Sequence, residues 1–261
     1  MPGTPDHADR FQAGISGRAI GDADRMTLRA VFFDAGNTLL SLDYPAIVEA
    51  LAAEGIPVGR EQVWRAECRA RVRLDPLLAE IAVRESAEVF TRYMRFTFDE
   101  LGVAWGARAE RVLASLRDIN RGQGLWRAAT PGASEVLHEL TERGYLVGVI
   151  SNADGRIETL LRNAGLFEPL SVIIDSHVVG VEKPDPRIFG FALERAGLSP
   201  EDAVYVGDFY SLDVVGARRA GLEAILLDPV GAWPPLDCSK IAALGEVADL
   251  LPPPRDRLTP K

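Results

Sequence analysis

The chain reads Leu28-Arg29-Ala30-Val31-Phe32-Phe33-Asp34, a short apolar run that ends in a carboxylate, and Ala35-Gly36-Asn37-Thr38 follows directly. Four further apolar runs stop at polar residues in the same way: 145–150 before Ser151, 171–174 before Asp175, 203–206 before Gly207-Asp208, and 224–227 before Asp228. Short apolar runs bounded by turn residues are typical of buried parallel strands. The repetition therefore predicts a sheet whose strands all end in polar side chains.

Helix-length amphipathic segments alternate with these strands. They span residues 132–143, 154–164, 185–196 and 211–220, and each is followed by a glycine where a helix C-cap is expected. This alternation predicts an α/β fold built on a doubly wound parallel sheet. Ligands of such sheets bind outside the carboxyl ends of the strands, so we expect the polar strand ends to form the functional site.

Residues 43–127 break the alternation and predict an all-helical insertion without strands. Its expected helices are 45–54, 60–74, 78–101 and 107–120, separated by Gly55 and Pro57, by Pro76, and by Gly102 and Gly106. We therefore divide the chain into an α/β core (26–42 and 128–251), a helical cap (43–127), a disordered tail (1–25) and a short C-terminal tail (252–261). Met26 precedes the first strand and is our expected translation start.

Composition excludes several classes of protein. The 261 residues carry a net charge of −9, which argues against a nucleic-acid partner. No apolar run reaches the roughly 18 residues that span a bilayer. Cys68 and Cys238 cannot form a disulfide framework, and they fit a reducing, cytoplasmic location. Of the 29 basic residues only Lys183, Lys240 and Lys261 are lysines, so chemistry that needs an amine has few candidates. The sequence does not indicate an oligomeric state.

The strand ends supply the groups needed for phosphoryl chemistry. Asp34 can act as a covalent nucleophile. Attack on an anionic phosphate requires charge neutralisation, and Mg²⁺ with oxygen ligands provides it. Ser151 and Lys183 can hold the other phosphoryl oxygens, while Asp208 and Asp213 follow the next strand. We expect a small anionic molecule as substrate.

At this point the sequence resembles the haloacid dehalogenase (HAD) superfamily, subclass I, over residues 28–250. Its four motifs appear in order: Phe33-Asp34-Ala35-Gly36-Asn37-Thr38, Ile150-Ser151-Asn152, Lys183-Pro184-Asp185-Pro186, and Gly207-Asp208 through Asp213. The resemblance implies an aspartyl covalent intermediate. It also implies catalytic roles for Asp34, Thr38, Ser151 and Lys183, and substrate contacts from Asn37 and Asn152. The implied Mg²⁺ ligands are Asp34, the Gly36 main chain, Asp208 and Asp213.

One position departs from the family pattern. Most phosphatases of this family carry a second Asp two residues after the nucleophile as the general acid and base, and this chain has Gly36 there. Loss of such a group typically costs a factor of about 10² to 10⁴. The enzyme then needs a good leaving group, such as an acyl or aryl phosphate, or an acid from the cap, or it is not a phosphatase.

Two alternatives to a metabolite phosphatase remain, a 2-haloacid dehalogenase and a catalytically weak binding or assembly protein. Schiff-base chemistry of the phosphonoacetaldehyde hydrolase type is excluded, because the cap contains no lysine. Asp208 favours a metal site and hence phosphoryl chemistry. Six arginines of the cap are candidates for binding an anionic substrate: Arg65, Arg69, Arg71, Arg73, Arg92 and Arg95. For most of them we prefer another interpretation, a solvated helix face whose charge is balanced by Glu61, Glu67, Glu85 and Glu88.

Overall fold

The structure, a computed structural model, describes residues 28–80 and 87–251, without the side chains of residues 79 and 80. The predicted tails, 1–25 and 252–261, and the expected start at Met26 lie outside the described residues. Among the described helices, none is long and apolar enough to cross a membrane.

The central sheet has six parallel strands: β1 (Ala30–Phe33), β4 (Leu146–Ser151), β5 (Val172–Asp175), β6 (Ala203–Gly207), β7 (Glu223–Leu227) and β8 (Ser239–Ile241). Their order across the sheet is β5-β4-β1-β6-β7-β8. The predicted fold class is confirmed, and five strands lie where the apolar runs placed them. The edge strand β8 was missed because Ser239-Lys240-Ile241 is too short and polar to stand out.

Helices cover both faces of this sheet: α5 (Ala133–Arg143), α6 (Ile157–Asn163), α7 (Ser176–Val179), α8 (Pro186–Ala196), α9 (Val215–Arg219) and α10 (Glu246–Leu250). Gly144 and Gly197 end α5 and α8 in the left-handed conformation that the C-cap prediction required. The segment predicted to be helical from 154 begins only at Ile157, and the one predicted from 211 opens with a π-helical turn, Tyr210–Val214.

Both faces of the sheet are buried, which explains the continuous apolar runs. Val31 and Phe33 pack on one face, and Ala30 and Phe32 pack on the other. Because side chains alternate along a strand, each apolar run supplies both layers of the core. The polar residue that follows each run is thereby placed at the sheet edge where all the strands end.

A two-stranded antiparallel ribbon connects the sheet to the helical insertion. Its strands are β2 (Leu40–Leu42) and β3 (Trp126–Ala129). Between them lie the four cap helices α1 (Tyr44–Ala53), α2 (Arg60–Glu80), α3 (Ala87–Glu100) and α4 (Ala107–Gly122). The prediction that residues 43–127 hold no strand is wrong at its end, where β3 begins. Such a short ribbon strand carries no periodic signal.

The prediction that Pro76 separates two cap helices is also wrong. Helix α2 runs through Pro76 from Arg60 to Glu80. Proline inside a helix removes one backbone hydrogen bond and disfavours the helix. Here Leu74 and Leu78, on either side of Pro76, are both buried in the cap core, so apolar packing holds the helix together through this point.

Candidate active site

Lys183 lies at the carboxyl end of the sheet and is hydrogen-bonded to Asp34, the predicted nucleophile. Its Nζ donates to Asp34 Oδ1 over 2.6 Å, to Asp213 Oδ1 over 2.7 Å and to the Tyr205 hydroxyl over 2.9 Å. An ammonium has three donors, so all three are engaged here. Burial by itself lowers the pKa of Lys183. The neighbouring carboxylates of Asp213 and Asp34 together raise it by more than burial lowers it, so the pKa of Lys183 lies above its usual value. Lys183 is therefore a fixed cation that orients Asp34.

Tyr205 and Asn152 hold Lys183 in place. The Tyr205 hydroxyl donates in turn to the Ile150 carbonyl over 2.9 Å, so this buried tyrosine links β6 to β4 beneath the site. Asn152 binds the Lys183 backbone at both ends, because its Oδ1 accepts from Lys183 N over 2.7 Å and its Nδ2 donates to Lys183 O over 3.1 Å. Both polar atoms of the Asn152 amide are thus used to position Lys183.

The loop after β6 carries the other two carboxylates. Asp213 Oδ2 accepts hydrogen bonds from the backbone amides of Asp208 and Phe209 over 3.0 and 2.9 Å, which folds the loop around this carboxylate. The Asp34, Asp208 and Asp213 side chains each offer an oxygen, and these oxygens all lie within 4.8 Å of one another. Both carboxylate oxygens of Asp213 accept hydrogen bonds. Asp208 Oδ1, by contrast, is buried without a hydrogen-bond partner among the described residues.

An aromatic group covers the turn after the nucleophile. Asn37 has a positive φ of 57°, and its side chain accepts from Trp126 Nε1 over 2.7 Å and donates to the Tyr93 hydroxyl over 3.1 Å. The Tyr93 and Trp126 rings are parallel, with centroids 6.0 Å apart. A Cβ at Gly36 would lie 3.5 Å from Trp126 Cδ1, so the indole adjoins position 36.

A buried ion pair from the cap reaches the same site. Arg71 of α2 is only 3% exposed and Glu67 is fully buried, with 2.7 Å between Arg71 Nε and Glu67 Oε1. Arg71 Nη1 also contacts Asp208 Oδ2 at 3.3 Å. The solvated helix face predicted for the cap arginines is therefore wrong for this pair, although Arg65 and Arg92 do form exposed pairs one turn from glutamates.

Cap and core are joined at two more points. The Asp75 carboxylate of α2 accepts from Ser211 N over 2.8 Å and from Ser211 Oγ over 2.9 Å. Arg156 of the core donates to the carbonyls of Asn120 and Gly122 at the end of α4, over 3.1 and 3.3 Å. These carbonyls are among those that a helix end leaves without an internal partner. The cap is thus fixed against the strand ends by charged side chains on two sides.

The charges of this cluster favour a bound divalent cation. Hydrogen bonds and ion pairs join four carboxylates and two cations into one cluster with a formal charge of −2: Asp34, Asp208, Asp213 and Glu67 with Lys183 and Arg71. Burial raises the pKa of Asp34 to about 6 despite Lys183, and it raises that of Asp208 well above its usual value despite Arg71. An added cation favours the ionised carboxylates, and the unpaired Asp208 Oδ1 is a hard oxygen ligand of the kind Mg²⁺ prefers.

A cavity of about 670 Å³ lies between these residues and the cap. The predicted residues Asp34, Gly36, Asn37, Ser151, Asn152, Lys183, Asp208 and Asp213 all line it. Thr38 does not line it, and its buried hydroxyl has no hydrogen-bond partner among the described residues.

Sequence reasoning missed Tyr205 and Tyr93 as parts of this site, and it named Arg71 only as one of six candidate arginines, with Glu67 as a balancing surface charge. A tyrosine inside an apolar strand, three residues before Asp208, was an available signal for the first of them.

Comparison with known proteins agrees with this architecture. A model of the haloacid dehalogenase-like hydrolases matches residues 28–221. The chain is 32% identical over 220 residues to haloacid dehalogenase-like hydrolase domain-containing protein 3 of Homo sapiens, which covers 80% of this chain and 87% of the relative. It is 32% identical over 212 residues to a glyceraldehyde 3-phosphate phosphatase of Methanothermobacter thermautotrophicus, covering 77% and 86%.

Among solved structures, a 2-haloacid dehalogenase from Pseudomonas syringae pv. Tomato DC3000 is similar with a TM-score of 0.51 and 28% identity, over 85% of this chain and 97% of that one. The parallel sheet, the acidic groups at its carboxyl end and the family match over residues 28–221 lead to one conclusion. This chain belongs to the haloacid dehalogenase-like hydrolases.

Proposed function

We propose that this hydrolase is a Mg²⁺-dependent phosphatase that acts on a small phosphorylated metabolite through a phosphorylated Asp34. The observation that carries the proposal is the buried cluster of formal charge −2, in which Asp34, Asp208 and Asp213 each offer an oxygen within 4.8 Å of the others. Asp208 Oδ1 in this cluster has no hydrogen-bond partner among the described residues. The relative named as a glyceraldehyde 3-phosphate phosphatase supports phosphoryl chemistry. Asp34, Asp208 and the Gly36 main chain would hold the ion, with Asp213 behind them.

Bound Mg²⁺ would supply the positive charge that lets a carboxylate approach a phosphate anion. Lys183 holds Asp34 Oδ1, so Oδ2 is the oxygen that attacks phosphorus. The phosphorus–oxygen bond to the leaving group breaks, and the leaving oxygen takes the electron pair. Ser151, buried at the end of β4, donates to a phosphoryl oxygen. Water then attacks the aspartyl phosphate, releases inorganic phosphate and regenerates Asp34.

A dehalogenase is the second candidate, and the sequence at Gly36 together with the 28% identical 2-haloacid dehalogenase favours it. In that reaction Asp34 attacks carbon and expels halide, which needs neither a metal nor a general acid at the leaving group. The Asp208 carboxylate, buried among other carboxylates, then has no assigned task. The two candidates therefore differ in whether the reaction depends on a divalent cation.

One screen separates the candidates. Wild type and Asp34→Asn are assayed with Mg²⁺ and with EDTA on acyl, aryl and alkyl phosphates and on 2-haloacids. We expect phosphate release that EDTA abolishes and that Asp34→Asn lowers by at least about 10³-fold, because the variant lacks the nucleophile. Asp99→Asn, which alters an exposed carboxylate of the cap, is the control and should retain activity. Halide release that survives EDTA would establish the dehalogenase, and the absence of any turnover would favour a binding protein.

A further inference from the structure

One part of the cavity wall contributed by the cap is aromatic and apolar, whereas the second half of α4 contributes a polar part. Phe90, Tyr93 and Trp126 line it together with Leu74 and Leu78. We call the first three residues the aromatic wall. The Phe90 ring meets the Trp126 ring edge to face, with centroids 6.3 Å apart and planes at 72°, and Tyr93 lies parallel to Trp126. Such a surface binds flat apolar groups better than it binds polar sugars or amino acids.

The polar atoms of the aromatic wall are already bonded to the protein. Trp126 Nε1 donates to Asn37, and the Tyr93 hydroxyl donates to Glu67 and accepts from Asn37. These hydrogen bonds fix both rings beside the turn that follows Asp34. The rings can therefore offer a ligand only their apolar surface. The wall adjoins Gly36, since its Cβ position lies 3.5 Å from the indole.

Outside the acidic cluster, the described residues of the cavity wall offer no carboxyl group that is free of an arginine partner. Gly36 replaces the acid, and apart from the cluster of Asp34, Asp208 and Asp213, the carboxyl groups on the described cavity wall are Asp118 and Asp154. Asp118 is ion-paired with Arg121. Asp154 is paired with Arg156, and the hydrogen bonds from Arg156 lower its pKa. The lowered pKa of Asp154 leaves it without a proton to give, and Asp118 is held by Arg121. In the proposed function the carboxylates of the cluster serve as nucleophile and metal ligands, so the leaving group departs as a stable anion.

We propose that the leaving group is an aromatic alcohol, so that the substrate is an aryl phosphate monoester whose ring lies against the aromatic wall. This inference rests on the proposed phosphatase function. Asp34 forms a bond to phosphorus while the bond from phosphorus to the aryl oxygen breaks, and the aryl oxide leaves with the electron pair and takes its proton from solvent. A phenol ionises near pH 10, whereas an aliphatic alcohol, like water, ionises only near about 16.

Four substrates distinguish the contribution of the aromatic ring from the contribution of the leaving group. Phenyl phosphate has the ring and the good leaving group, benzyl phosphate has the ring with an alkoxide leaving group, acetyl phosphate has a good leaving group without the ring, and glycerol phosphate has neither. With Mg²⁺ and wild type, we expect kcat/KM for phenyl phosphate to exceed that for benzyl phosphate by at least about 10²-fold, because kcat/KM reports the step in which the leaving group departs. We expect the KM of phenyl phosphate to lie at least about tenfold below that of acetyl phosphate, because the ring is buried.

A matched pair of variants tests the wall itself. Phe90→Ala removes a ring from the cavity, and Phe96→Ala removes one from the same helix outside it. Both phenylalanines are half-buried. We expect Phe90→Ala to lower the ratio of kcat/KM for phenyl phosphate to that for acetyl phosphate about tenfold. Phe96→Ala should leave this ratio within about twofold of wild type.

The outcomes distinguish this inference from the function on which it rests. If Asp34 is required for turnover but benzyl phosphate is hydrolysed as fast as phenyl phosphate, the aryl leaving group is wrong and the phosphatase stands. Equal KM values for phenyl and acetyl phosphate, or an unchanged ratio in Phe90→Ala, would overturn the role of the aromatic wall. No Asp34-dependent phosphate release from any of the four would overturn the proposed function.

Discussion

At the scale of single residues, Gly207 gives the Asp213 carboxylate the space it occupies. A Cβ at Gly207 would lie 2.3 Å from Asp213 Cγ, well inside van der Waals contact. Asp213 Oδ2 holds the backbone amides of Asp208 and Phe209, and Oδ1 holds Lys183. One methyl group at Gly207 therefore has to displace the side chain that orders the whole acidic loop.

We expect Gly207→Ala to lower turnover by about 10²-fold, because a displacement of about 1 Å at catalytic groups has effects of that size. Gly190→Ala is the control. Gly190 lies in α8 with open space around its Cβ position, and alanine in a helix interior is favoured over glycine by about 0.5–1 kcal/mol. Steady-state kinetics and urea denaturation of both variants make the comparison. Full activity of Gly207→Ala would show that the loop tolerates a shifted Asp213.

The sequence predicted the site residues that follow strands but not the ones that support them. Asp34, Ser151 and Asp208 stand next to apolar runs, so their position in the chain reveals their position in space. Arg71 and Tyr93 reach the site from helices whose docking depends on long-range packing. Charge periodicity made Arg71 and Glu67 look like an ordinary exposed pair, and only burial distinguishes them.

At the scale of elements, α2 carries the buried Glu67–Arg71 pair. Breaking a buried ion pair by removing one partner leaves an uncompensated charge and typically costs about 3–5 kcal/mol. We expect Arg71→Met to lower the free energy of unfolding by that amount in urea denaturation. The double variant Arg71→Met with Glu67→Gln should recover part of the loss, since no charge is then stranded at position 67.

Arg73→Met on the same helix is the matched control. Arg73 is 40% exposed and pairs with Asp99 and Glu100 on α3, and surface pairs contribute about 0–1 kcal/mol. A loss for Arg71→Met no greater than the loss for Arg73→Met would mean that water reaches Glu67 in solution.

Asp75 makes the docking of α2 sensitive to pH. Burial raises its pKa to about 6, although hydrogen bonds from Ser211 oppose the shift, and Asp213 adds to it. A carboxyl group whose pKa is raised on folding from 3.8 to about 6 favours the folded state most fully below pH 3.8. That contribution is lost as the pH rises through 6, an effect of about 3 kcal/mol.

We therefore expect the stability of Asp75→Asn relative to wild type to increase from pH 4 to pH 6.5 and to level off above it. An amide keeps an oxygen that accepts from Ser211 but does not ionise. Chemical denaturation across this range measures the difference. A difference that stays constant with pH would show that Asp75 is solvated in the folded protein.

At the scale of the whole molecule, the charge of −2 in the central cluster predicts stabilisation by a divalent cation. A ligand that binds only the folded state at 100 times its Kd adds about 2.7 kcal/mol. For a protein of this size each kcal/mol raises Tm by about 2–4 °C, so we expect saturating Mg²⁺ to raise Tm by about 5–10 °C. Thermal unfolding with Mg²⁺ and with EDTA measures the shift.

Asp208→Asn should abolish most of this Mg²⁺-dependent shift, because it removes the carboxylate with the unpaired oxygen. Asp99→Asn should leave the shift unchanged, since that carboxylate is exposed on the cap. An equal shift in all three proteins would place the stabilising ion elsewhere.

The fold as a whole was more predictable than its connections. Continuous apolar runs identify a sheet that is buried on both faces, because every residue of such a strand is selected for the core. The ribbon of β2 and β3, the edge strand β8 and the unbroken course of α2 through Pro76 have no local signature. They depend on what each short segment packs against in the finished structure.

The position of Trp126 also gives the site an intrinsic fluorescent reporter. Its indole lines the cavity, lies parallel to Tyr93 and donates to Asn37, so an arriving ligand changes the polarity around an intrinsic fluorophore. The other three tryptophans, Trp64, Trp105 and Trp233, do not line the cavity and contribute a constant background emission. Occupancy of the cavity can therefore be followed by ultraviolet fluorescence, without a label and without turnover.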